Sequence, residues 1–202
     1  MRGFADSPTL QTLAVMGVVF VVQQVLQLVG LMSFFFVLSP SFLVRPWSLV
    51  TSVYAHANLA HLLGNALVLL PVGLAIESFT SRVRYHAFFV TTGVIAGLSQ
   101  VFLTGSGVLG ASAAIFALLG YLVTGNPVSN SVLDRLGLNR RVQLVVFGVL
   151  AVLVTVFTGS PGVALVAHFT GFLLGLVSGR LGLLGTNKPR HRTQVTNRPP
   201  GY

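Results

Sequence analysis

Cysteine is missing from all 202 residues, and the acidic side chains number only 3: Asp6, Glu77 and Asp134. Without a thiol there is no disulfide framework, no thiolate nucleophile and no Cys-ligated metal. The redox compartment is left open by this. Charge of either sign is scarce: 7% of residues are charged, against roughly 25% in a soluble domain. That scarcity excludes an ordinary water-soluble globule. What fills the chain is apolar, with 53% hydrophobic residues and a mean hydropathy of +0.86, which identifies an integral membrane protein of one compact domain. The formal net charge of +9 would suit a nucleic-acid partner only if the basic residues did not report topology instead. They do report it, and no nucleic acid is expected as a partner.

A hydrocarbon core of about 30 Å needs roughly 20 apolar residues in a helix. Six spans are predicted, over 10–37, 58–78, 85–104, 112–124, 142–158 and 163–184. The first lacks a basic flank with a small-residue cleavage site and is too long for a signal-peptide core, so it is expected to be retained. Of the 12 Lys and Arg, Arg2 precedes the first span, Arg82 and Arg84 follow the second, and Arg135, Arg140 and Arg141 follow the fourth. Arg180, Lys188, Arg190, Arg192 and Arg198 come at the end of the chain, and only Arg45 falls on the other side. The positive-inside rule then predicts both termini in the cytoplasm. A multi-pass protein of the plasma membrane is expected, with residues 1–9 as a cytoplasmic N-terminus and 10–184 as a six-helix membrane domain. Residues 185–202 are expected to form a disordered basic tail near the anionic headgroups of the lipid bilayer.

The fourth span is anomalous. Between Ser112 and the Gly125-Asn126-Pro127 stop there is only about 20 Å of helix at the standard rise. If its C-terminal end sits at the cytoplasmic surface, Ser112 lies about 10 Å below the outer surface. The preceding "LTGSGVLGA" must then be irregular backbone at membrane depth, which survives only inside protein or beside a water-filled cavity. A wet pocket open to the outside is the expectation.

Polar groups at that depth are costly and repay inspection. His61 and Asn65, four apart, share one helix face at the outer end of the second span. His168 lies roughly 8 Å into the sixth. A lone intramembrane histidine ordinarily serves as an interhelical hydrogen-bonding group, but four groups converging at one depth from separate segments point to a site. A serine hydroxyl needs a base to become a nucleophile, and His168 can supply it. The three acidic residues all fall at or near the cytoplasmic side, so a Ser112–His168 dyad without a carboxylate is predicted. An oxyanion would be met by His61, the Asn65 amide and the Ser112 backbone N–H, at a helix N-terminus whose dipole favours negative charge. Phe116, one turn beyond Ser112, either stacks on the His168 ring or is simply core.

These residues resemble the rhomboid family of intramembrane serine proteases. "GAS", Gly110 to Ser112, is similar to that family's G-x-S motif, "HANLAHLLGN" to its H-x4-H-x3-N run, and "AHFTGFLLG" to its A-H-x2-G-x3-G. Trp47 and Thr51 resemble its W-R-x2-T approach, and Glu77 a glutamate at the cytoplasmic end of its second helix. Coverage runs from about Trp47 to Gly179. The resemblance implies an all-α, polytopic, six-transmembrane-helix rhomboid-like bundle whose short fourth helix starts inside the membrane. It implies cofactor-free and metal-free hydrolysis of peptide bonds in or near the outer part of transmembrane helices of single-pass or polytopic substrates. It also implies supporting places for Gly110, Phe116, His56 and Gly171.

Two positions depart from the pattern. Ser48 stands where arginine is usual, with Arg45 near enough to reach the same partner, and Ala113 follows the nucleophile where glycine is common and is expected to narrow the oxyanion site. His56 is expected to brace the loop of residues 38–57. Gly171, Gly175 and Gly179 recur on one face of the sixth span and predict close approach to the fourth, as Gly93 and Gly97 predict close packing in the third. "TGSPG", residues 158–162, is the predicted mobile cap over His168. Two other functions stay open: a catalytically inactive rhomboid-like scaffold that binds membrane proteins, and a small transporter or channel. Retention of both Ser112 and His168 disfavours the scaffold, and the lack of internal repeats disfavours the transporter.

Overall fold

The computed structural model describes residues 4–125, 142, 145, 149 and 164–185. All but three residues of the predicted fifth span, the 158–162 cap, Asp134 and the basic tail beyond Gly185 lie outside these residues. The chain is an all-helical membrane bundle. Among the described residues three helices are long and apolar enough to span: α1 (Pro8–Leu28), α4 (Leu59–Glu77) and α5 (Arg82–Thr104). Two shorter apolar helices, α6 (Ser112–Gly125) and α7 (Leu165–Arg180), pack against them. Two small helices, α2 (Met32–Phe36) and α3 (Ser48–Tyr54), lie in the connection from α1 to α4.

Local chemistry sets the ends. Ser7 caps α1 by accepting the Leu10 N–H at 3.2 Å, with Pro8 in the first turn, where its missing N–H costs nothing. Asn58 caps α4 through the His61 N–H at 2.8 Å, and Ser81 caps α5. At the other end of α1 the expectation fails: the helix stops at Leu28, well short of residue 37. Gly30 takes a left-handed φ of 73°, a turn that glycine adopts at no steric cost, and the apolar run that follows folds back as α2. Continuous hydropathy across this turn is what made the span read too long.

The packing is inverted relative to a soluble protein. Val18, Val21, Val25 and Leu67 are exposed, on surfaces suited to lipid, while polar Gln23, Thr9, Thr12 and His56 are fully buried. One core of Met16, Leu69, Ile76, Tyr85, Phe89, Leu118 and Tyr121 joins α1, α4, α5 and α6. At the C-terminal end of α4, buried Glu77 accepts from Ser7 Oγ at 2.8 Å and from the Thr9 N–H at 3.1 Å, so a carboxylate from α4 meets the N-terminus of α1. Asp6 pairs with Arg82 at 3.1 Å.

The glycine stripe of α7 meets α6, as its spacing predicts. A Cβ on Gly171 would strike the Ala113 backbone, one on Gly175 the Ala117 backbone, and one on Gly179 the Tyr121–Gly125 turn. Helix backbones in this contact are as close as glycine allows. Gly175→Val should therefore lower stability by about 3 kcal/mol, since the obstruction is backbone and cannot rotate away, a loss to be read from thermal unfolding in detergent.

Candidate active site

The extended stretch that leads into α6 is held by its neighbours. Leu38 and Val108 exchange backbone hydrogen bonds at 3.0 and 2.8 Å, and the Gly110 N–H donates to the Ser52 carbonyl at 2.9 Å. Gly110 has a φ of 132°, open to glycine and strained for any other residue. A Cβ there would also lie 2.8 Å from His61 Cε1. The G in "GAS" is thus required twice, by the backbone and by the imidazole beside it. Ser112 begins α6 directly after this turn, so its N–H has no helical acceptor and is free for another partner.

Across the bundle, His168 sits in the first turn of α7. Its Nε2 lies 2.7 Å from Ser112 Oγ, within the range of a strong O–H···N hydrogen bond. If the hydroxyl donates, Nε2 carries the lone pair and Nδ1 the proton. That Nδ1 is buried and has no hydrogen-bond partner among the described residues. The two described carboxylates, Asp6 and Glu77, are engaged at the far end of the bundle. Phe116 contacts the imidazole at a ring-centroid distance of 4.6 Å and a tilt of 41°, restricting the ring where a carboxylate would otherwise do so.

Ser112 and His168 open on a cavity of about 780 Å³, whose lining includes His61, Asn65, Phe116 and Val108. Asn65 Nδ2 is buried without a hydrogen-bond partner among the described residues. An unpaired buried amide is costly, and this one lines the space beside Ser112 as an unused donor. Among the described residues no three His, Asp or Glu side chains gather as metal ligands.

The supporting residues and the two departures from the family pattern lie around this site. Gly171 does not line the cavity but faces the Ala113 backbone, so its part is to bring α6 and α7 together. His56 is also outside the lining: it is fully buried behind His61, with ring centroids 5.1 Å apart, and its backbone is bound to Gln23 of α1. Burial and the neighbouring His61 push the His56 imidazole down to about 4, against the opposing hydrogen bond to the Tyr54 carbonyl, which leaves it neutral at physiological pH. Ala113 is not among the residues that line this cavity and packs with Ala96 and Ala167. Arg45 knits the first loop to itself, reaching the Ser39 and Ser41 hydroxyls and lying 5.7 Å over Phe34. Ser48 donates to the Arg45 carbonyl at 2.7 Å.

Two glutamines escaped the sequence reasoning. Gln100 of α5 accepts the Ala167 N–H at 3.2 Å, supplying from another helix the cap that Ala164 cannot give α7. Gln23 of α1 holds His56 from both sides. An amide inside an apolar span marks each glutamine as costly to bury, but not which distant backbone group it serves.

Residues 44–184 match the family model described as the Rhomboid domain. The chain is 30% identical over 154 residues to RHOMBOID-like protein 7 of Arabidopsis thaliana, which covers 76% of this chain and 48% of that protein. To Rhomboid-like protease 2 of Toxoplasma gondii it is 29% identical over 138 residues, covering 66% of this chain and 46% of the relative. A shorter stretch of 77 residues is 32% identical to Rhomboid protease GluP of Bacillus subtilis (strain 168), covering 38% of this chain and 15% of that protein. The chain spans about half the length of the first two of these relatives.

Proposed function

The chain belongs to the rhomboid family, and from that premise we propose that it is an intramembrane serine endopeptidase. Its substrates are transmembrane helices of other membrane proteins, cut in or near their outer part. What carries this assignment is the 2.7 Å contact of Ser112 Oγ with His168 Nε2 at the edge of a large cavity.

In the first half-reaction His168 Nε2 takes the Ser112 proton as Oγ attacks the scissile carbonyl carbon. The negative charge that forms on the carbonyl oxygen is met by Asn65 Nδ2, His61 and the Ser112 N–H, at the N-terminal end of the α6 dipole. Imidazolium then returns the proton to the leaving amine, and the C–N bond breaks to give an acyl-Ser112. Water attacks this ester in the second half, with His168 again accepting and then delivering one proton to Oγ.

Since lipid is as apolar as the substrate, hydrophobic burial gives little selection between helices. A substrate is chosen instead by how readily its outer end unwinds, so helix-breaking and small residues near the cut are favoured. Residues 10–184 form the protease domain, in the plasma membrane with both termini cytoplasmic, as the basic residues indicate.

The test is cleavage of a single-span substrate co-reconstituted in liposomes, with the cut mapped by mass spectrometry. A cut in the outer part of the span is expected. Intact substrate across a panel with Gly- and Pro-containing spans would contradict the proposal. In the same assay Asn65→Ala should lower kcat by about 10²-fold, as when one of several oxyanion donors is removed.

A further inference from the structure

Gln23 is a fully buried amide in the last third of a membrane-spanning helix, 33 residues away from its partner in sequence. Its Oε1 accepts the His56 N–H at 2.9 Å, and its Nε2 donates to the His56 carbonyl at 3.2 Å. One side chain thus satisfies both backbone groups of a single residue. Burial of His56 leaves both of these groups without water, and Gln23 supplies both partners from another helix.

The consequence lies one atom further on. The carbonyl held by Gln23 belongs to the peptide unit that joins His56 to Ala57. The N–H of that same unit points at His61 Nδ1, at 3.5 Å. A peptide is planar, so fixing its oxygen fixes the direction of its N–H. A hydrogen bond accepted at the oxygen also polarises the N–H opposite and strengthens its donation. Asn58 holds the start of α4 in register, with its Oδ1 on the His61 N–H at 2.8 Å. The fully buried His56 ring lies edge-on to the His61 ring, which restricts its rotation.

We propose that Gln23 is a positioning residue that sets the tautomer of His61 through the His56–Ala57 peptide. With a backbone N–H aimed at Nδ1, the neutral imidazole keeps Nδ1 as acceptor and carries its proton on Nε2. Nε2 is on the side of Gly110, 3.1 Å from where a Cβ on that glycine would be, and His61 lines the cavity that holds Ser112. In the other tautomer a lone pair would face a developing oxyanion and repel it. The catalytic consequence rests on the peptidase assignment above, whereas the tautomer does not.

The experiment is ¹⁵N NMR of histidine-labelled full chain in detergent micelles, with the His61 resonances assigned by their loss in His61→Gln. In the wild type, Nε2 should be protonated and Nδ1 not. In Gln23→Met, which keeps the length of the side chain but neither hydrogen bond, His61 should shift to a mixture of tautomers. The kcat should fall about tenfold, the loss of roughly one hydrogen bond's contribution at the transition state, with KM within twofold. In a His61→Ala background Gln23→Met should cause no further fall. A protonated Nδ1 in the wild type, or a His61 spectrum unchanged in Gln23→Met, would overturn the proposal whatever happened to activity. Should the Met variant not fold, Gln23→Leu is read in its place, and a protonated Nδ1 in the wild type would overturn the proposal without either. A wild type with the expected tautomer that cleaves nothing would refute the peptidase assignment and leave the tautomer control standing.

Discussion

Ser112→Ala should lower cleavage of a transmembrane substrate by roughly 10⁴-fold or more, the scale set by removing the nucleophile from a serine hydrolase. The change deletes one hydroxyl that borders a large cavity, so little packing is lost. Helical content should stay intact, and the thermal midpoint should move by only a few degrees. Initial rates of cleavage in liposomes, together with far-UV circular dichroism of the same preparation, check both parts. A variant that keeps its activity would remove Ser112 from the chemistry. One that unfolds would show the hydroxyl to be structural.

His168→Ala should be as severe, also roughly 10⁴-fold, because an un-ionised serine at physiological pH is a poor nucleophile without a base. More informative is the double variant Ser112→Ala/His168→Ala. A nucleophile and its base act as one unit, so the double loss should equal the single loss within the error of the assay. Multiplying losses would mean that the two residues serve separate steps. The absence of a carboxylate behind Nδ1 among the described residues places more of the orienting task on Phe116, whose ring contacts the imidazole at 4.6 Å. No further third member is required by this account.

Much of the site could be read in the sequence because membrane depth is a ruler. A helix that ends at Gly125 and is too short to cross puts its first residue inside the bilayer. Counting from the N-terminal ends of α4 and α7 brings His61, Asn65 and His168 to the same level. The structure puts all four residues around one cavity. The end of α1 could not be read this way, because residues on both sides of Gly30 are equally apolar and hydropathy does not register a left-handed turn. Glycine spacing gave the close backbone approach of α7 to α6, where Gly171 faces the Ala113 backbone. Gln23 and Gln100 were hidden for a different reason. Each acts on backbone groups of a distant segment, and nothing local in the sequence marks a carbonyl or N–H as needing a partner.

Covalent capture of the nucleophile tests the central claim most directly. The chain, purified in detergent, is incubated with a serine-directed fluorophosphonate and analysed by intact-mass and peptide mass spectrometry. The account predicts one adduct per chain, located on Ser112, absent in Ser112→Ala and strongly slowed in His168→Ala. A folded wild-type chain that takes up no probe, or that takes it up on a serine other than Ser112, would contradict it.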